Sequence, residues 1–89
     1  MALRISPEQS EILAIKALSF LADSPGTLER FAGENGVSIA DIRSQATEKA
    51  FLIAVFDFIL SDEALVLDFA KSVEIDPRLV GLAHHMLSR

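Results

Sequence analysis

The sequence predicts an all-α fold, a compact bundle of about six helices built as two similar units. Each unit is expected to hold a long central helix followed by a short helix-turn-helix corner. Three observations carry this expectation. Helix-start residues recur along the chain, at Ser6-Pro7, Pro25, Ser38, Ser61-Asp62-Glu63 and Asp76-Pro77, and Asn35-Gly36 is a helix stop. Two stretches, 12–21 and 51–60, are apolar around most of a helical circumference, as helices at the centre of a fold are. Caps and apolar positions in the two halves coincide at an offset of 38 residues.

The first helix opens on Ser6-Pro7-Glu8-Gln9, an N-cap hydroxyl, a first-turn proline and a glutamine placed to close a capping box. It carries Ile12, Leu13, Ile15, Leu18, Phe20 and Leu21, and Ser24-Pro25-Gly26 breaks it. A short second helix, about 25–34, puts Leu28, Phe31 and Ala32 on one side. Asn35-Gly36 ends it, since both residues tolerate the left-handed conformation of a helix stop. Ser38 caps a third helix, and Asp41 three residues on predicts a second capping box, with Val37, Ile39 and Ile42 inward.

From 46–48 the pattern restarts. A buried strand competes for the apolar run that follows, but apolar character lasts more than ten residues without a turn signal, which favours a helix. Ser61-Asp62-Glu63 starts a fifth helix bearing Leu65, Val66, Phe69 and Ala70. Asp76-Pro77 starts a sixth that runs to about residue 87. At the 38-residue offset Ile15 meets Ile53, Phe20 meets Phe58, Phe31 meets Phe69 and Ala32 meets Ala70. Identities this sparse are no sign of duplication. The agreement of caps and apolar positions predicts two units, 7–45 and 46–88, in a single helical domain spanning 1–89. Neither unit can bury its long helix alone.

Composition narrows the function classes. The chain has 89 residues, no cysteine, and thirteen acidic against eight basic residues, a net charge of −5. It therefore has no disulfide framework, thiol nucleophile or Cys-based zinc site. The acidic balance works against a general nucleic-acid or anionic-membrane binder, whose long-range attraction comes from Lys and Arg. The opening residues 1–6 show no basic stretch followed by an apolar one, so no secretory leader is expected. The longest apolar run falls short of the roughly 20 residues of a membrane span. A soluble cytoplasmic protein is the expectation. A 51% hydrophobic fraction is high for so short a chain and leaves apolar surface for a partner.

Residues 31–38, continuing through Ile42, resemble the helix-turn-helix pattern: a small residue, a glycine four later, then apolar residues that fix the second helix on the first. A recognition helix needs base-reading side chains in a basic surround. From 38 to 47 the segment has Arg43 as its one base, against Asp41, with Glu48 next; Gln45 also stands where the pattern wants an apolar residue. Nucleic-acid binding through Arg30, Arg43 and Lys49 is thus the alternative to a structural corner. The second corner, with Glu74 in place of glycine, fits the pattern less well.

His84-His85 invites a metal reading, but adjacent helical residues point about 100° apart. Neither has an acid three or four residues away, so no acid–histidine pair is nominated, and a favourable interaction with a helix C-terminus explains them. Asp57 is the only polar residue between Ala50 and Leu60. It is expected on a narrow solvent stripe with Lys49 and Ser61, the competing placement being buried against a neighbouring helix start. A small enzyme using Asp57 or the His84/His85 region is the second alternative. No phosphate loop, nucleophile elbow or metal quartet is present, so no catalytic, cofactor-binding or metal-ligating residue is nominated and no small-molecule ligand or cofactor is implied.

Residues 17–25 and 28–31, then 50–65, Asp68-Phe69-Ala70 and Ile75-Asp76-Pro77, resemble a family of small alphaproteobacterial proteins of unknown function. The resemblance spans nearly the whole chain. It implies an all-helical cytoplasmic bacterial protein and carries over no functional residue. The expectation that best joins these observations is a non-catalytic helical interaction or scaffold module, acting on a protein partner or on a second copy of itself.

Overall fold

The computed structural model describes residues 3–89. They form six helices: α1 (Pro7–Ala22), α2 (Pro25–Asn35), α3 (Ile39–Gln45), α4 (Lys49–Leu60), α5 (Glu63–Ser72) and α6 (Arg78–Leu87). No strand occurs among the described residues, and the apolar run after residue 49 is a helix, as its length indicates. Met1 and Ala2, the first residues of the segment inspected for a leader, lie outside the described residues.

Helix starts follow the capping chemistry. Gln9 N–H donates to Ser6 Oγ and Ser6 N–H donates to Gln9 Oε1, both at 3.0 Å, so the first capping box is closed. At α3 Ser38 Oγ accepts from Asp41 N–H (3.2 Å), but no return bond from the Asp41 carboxylate joins it. Aspartate is one methylene shorter than the glutamate that usually spans this box, which leaves a one-sided cap. Asp62 Oδ1 accepts from Ala64 N–H (3.0 Å) and Asp76 Oδ1 from Arg78 N–H (2.9 Å), starting α5 and α6. Ser61 closes α4 instead of opening α5: its hydroxyl donates to the Phe58 carbonyl at 2.6 Å.

The two long apolar helices, α1 and α4, pack on each other as the sequence implies, and α2 and α5 each bridge both of them. Phe31 of α2 is fully buried with its ring centre 5.4 Å from that of Phe58 on α4, while Phe69 of α5 lies 5.5 Å from Phe20 on α1. These two pairs exchange under the 38-residue offset, so each unit inserts a phenylalanine against the other unit's long helix. That reciprocity is how two small corners bury two helices that neither could cover alone.

The corners match in backbone detail. Val37 N–H donates to the Ala32 carbonyl and Ile75 N–H to the Ala70 carbonyl, both at 3.0 Å. Each bond closes the same helix-stop motif, which needs a left-handed residue just before it. Gly36 fills that position with φ 65° and Glu74 with φ 56°.

The third helices of the two units go to different places. α3 packs chiefly on α2, with Ile42 as its buried anchor, whereas α6 packs along both α1 and α4 and joins them as a third central helix. The physical reason is apolar capacity: Val80, Ala83 and Leu87 bury one full stripe of α6, while the equivalent positions of the first unit are Ile42, Gln45 and Lys49. Only the first of those three can enter a core.

Candidate functional site

Three places in this fold gather the residues that the sequence singles out. The first joins α4 and α6. Asp57 is exposed, on the outer stripe of α4 with Lys49 and Ser61, and not buried against a helix start. Its Oδ1 lies 2.5 Å from Nε2 of His84, a residue twenty-seven positions later in the last turn of α6. The expectation that no acid–histidine pair forms is therefore corrected. It rested on spacing within one helix, and this pair spans two. Its one sequence signal was Asp57 itself, the lone polar residue in an apolar helix.

A carboxylate-held imidazole can serve as a base only if it faces a nucleophile or a substrate cleft. Ser88 Oγ donates to the His84 carbonyl (2.8 Å), and Ser61 Oγ is committed to Phe58. Both nearby hydroxyls thus serve the backbone. The Asp57 side chain is 63% exposed and borders an open groove with Glu34, Asn35 and Ser61. The pair acts as a tie between two central helices. His85, one residue on, is exposed and turned toward the N-terminal segment near Leu3 and Arg4.

The second place is the α2–α3 corner. The Arg30 guanidinium lies 4.9 Å from the centre of the Phe58 ring, so its charge stacks on an aromatic face that α2 helps to cover. Arg43 and Lys49 are exposed, on α3 and at the start of α4. Of the three bases, Arg30 alone stacks on an aromatic ring among the described residues. Arg30 shields Phe58, whose ring packs edge-on to Phe31.

The third place is the outer face of α1. Ile12 and Ile15 are half exposed, at 49% and 50%, though they sit in the helix expected to be most central. Ile12 borders a furrow of about 300 Å³ whose other walls are Ile5, Ile75 and Leu79, and which Arg4 and Lys16 flank, whereas Ile15 faces a separate hollow with Phe20, Asp23 and Val73. A neighbouring depression, reached across Arg4 and Ile5, adds Leu82 and Met86. No carboxylate lines the furrow or this depression, on a chain of net charge −5. The sequence reading placed both isoleucines in the core, because a helix apolar all round gives no sign of which side stays uncovered.

At the edge of this region Arg78 and Asp76 pair at 2.8 Å. The hydrogen bond from the Arg78 side chain, and after it the one from the Arg78 backbone N–H, hold the Asp76 carboxyl down at about 2; the same contact raises the Arg78 guanidinium. Arg78 is exposed and Asp76 partly so, and the pair fixes the α6 start.

Among the described residues no group of three or more His, Cys, Asp or Glu side chains is placed to hold a metal ion. No helix among them is long and apolar enough to cross a membrane. A family model described as protein of unknown function (DUF3572) matches residues 7–89. The chain belongs to this family. The match takes in all six helices, from the first proline of α1 onward, so the reciprocal corners and the helical walls of the α1 furrow lie within the DUF3572 region, with Arg4 and Ile5 just before it. No curated protein and no solved structure matches the chain.

Proposed function

We propose that this DUF3572 chain is a non-catalytic helical interaction module that docks a protein partner along the outer face of α1 and α6. The furrow and the depression beside it carry this reading: exposed Ile12 and Leu82 stand next to cationic side chains, in hollows that no carboxylate lines, on an acidic protein. Contiguous exposed apolar surface on a small protein marks an interaction site more often than it marks idle surface. The proposal includes a single domain with units 7–45 and 46–88, supported by one cluster of buried residues drawn from all six helices. It also includes a cytoplasmic setting in alphaproteobacteria, which rests on the sequence resemblance.

The test is capture from cell extract with the intact chain, compared with Ile12→Lys and Leu82→Lys. Both variants alter exposed side chains, and circular dichroism checks that they fold. A partner retained by the parent chain and lost from both variants supports the reading; equal capture by all three overturns it. Retention on duplex DNA that is strong, salt-sensitive and abolished by Arg43→Ala would replace it with the nucleic-acid alternative.

A further inference from the structure

We propose that the α1 furrow is filled by α5 of a second copy of this chain, in a head-to-tail contact that seats Leu67 beside Ile12 and brings Glu63 and Asp68 to Lys16 and Arg4. The inference rests on the interaction-module reading and names its partner. Leu67 is 51% exposed, the most exposed large apolar side chain of the described residues. It stands on the outer face of α5 with Ala64 exposed one turn before it, Glu63 four residues before it and Asp68 directly after it, all of them exposed. One surface is therefore an apolar furrow flanked by Arg4 and Lys16, with Glu8 one turn before Ile12. The other is an apolar ridge flanked by Glu63 and Asp68, with Lys71 one turn after Leu67, so an antiparallel seating sets Lys71 toward Glu8 as it sets Glu63 toward Lys16. Charges of opposite sign around apolar centres fix register and suppress wrong pairings.

A symmetric alternative fits less well. In a two-fold antiparallel pairing of α1 with itself, each flank of the seam meets its own copy. Ile12 and Ile15 would lie on the seam, the two Lys16 side chains would share one flank, and the two Glu11 side chains would share the other. Like charges would meet on both sides. The ridge-and-furrow contact is heterologous, so a pair still has one free furrow at one end and one free ridge at the other, and assembly continues past two chains unless a ring closes.

Sedimentation velocity on the intact purified chain, across concentrations from micromolar to several hundred micromolar, tests this. The expected result is an average mass that rises above the 9.7 kDa of one chain as concentration increases and falls back with added salt. Leu67→Lys and Ile12→Lys should each be monomeric. An equimolar mixture of the two should form pairs and stop there, because only one intact ridge and one intact furrow remain to meet. Lys16→Glu and Glu63→Lys give a second route that leaves the apolar residues alone: each weakens assembly and their mixture restores it. A parent chain that stays monomeric overturns the self-docking proposal, while the capture experiment separately decides whether another partner uses the face. Assembly lost in Ile12→Lys but kept in Leu67→Lys also overturns it, in favour of an α1–α1 interface.

Discussion

Replacing Glu74 by glycine is expected to stabilise the chain, and the structure sets the size of the gain. Glu74 holds φ 56° to let Ile75 N–H reach the Ala70 carbonyl. A residue with a Cβ in the left-handed region costs about 1–2 kcal/mol, from the approach of Cβ to the following carbonyl oxygen. Glycine removes that cost but gives up about 0.5–1 kcal/mol to the greater freedom of the unfolded chain. The net gain is about 0.5–1 kcal/mol, which for a domain of this size is a rise of about 2–8 °C in Tm. The other corner supplies the control. Gly36 occupies the equivalent place at φ 65°, and a Cβ built there would meet nothing within 4 Å, so Gly36→Ala should lose about 1 kcal/mol through the backbone alone. Urea unfolding followed by circular dichroism reads both, with unchanged m showing that stability and not compactness has moved. A lower midpoint for Glu74→Gly, or an unaltered one for Gly36→Ala, would refute the assignment of the two corners as equivalent left-handed helix stops.

Other expectations follow from the core and the polar pairs. Phe31→Ala removes a fully buried ring from between Phe51 and Phe58 and should cost about 3–5 kcal/mol, a large share of the roughly 5–15 kcal/mol of an ordinary domain, and lower Tm by more than about 10 °C. A melt within a few degrees of the parent would show that α2 does not lock onto α4 through this ring. For Asp57 and His84, a double-mutant cycle with Asp57→Ala and His84→Ala should return a coupling of about 0.2–1 kcal/mol, small because the carboxylate is mostly in water; additive losses would mean that the tie contributes nothing. Asp76 should titrate at about 2, and Arg78→Ala should return it toward 3.8, followed by NMR of the carboxyl carbon. A depressed carboxylate favours the folded state above the unfolded value and loses that contribution as pH falls toward 2, so any effect on folding belongs to that acidic window. An unchanged midpoint in the variant would remove Arg78 as the cause.

Several elements are legible from local chemistry. The Ser6–Gln9 box, the Asp62 and Asp76 caps and the Gly36 stop involve residues within five positions of one another, and such interactions depend on the chain alone. Apolar stripes show which helices enter the core: α4 buries Phe51, Leu52, Val55, Phe56, Phe58 and Ile59, all within the stretch read as central. The likeness of the two halves proved informative at the corners, where Glu74 adopts the glycine-like conformation although its residue type argues against it.

What the sequence by itself determined was the number of helices, their caps, the apolar content of each and the pairing of α1 with α4. Tertiary structure decided which face of a nearly all-apolar helix meets a neighbour, and with it the fate of Ile12, Ile15 and Leu67. Periodicity has no preferred direction when apolar residues surround the axis, so only the positions of α6 and the N-terminal segment leave a furrow on α1. Asp57 and His84 met for the same reason. Their approach depends on α6 lying along α4, a packing set by the burial of Val80, Ala83 and Leu87 and by nothing local to either residue.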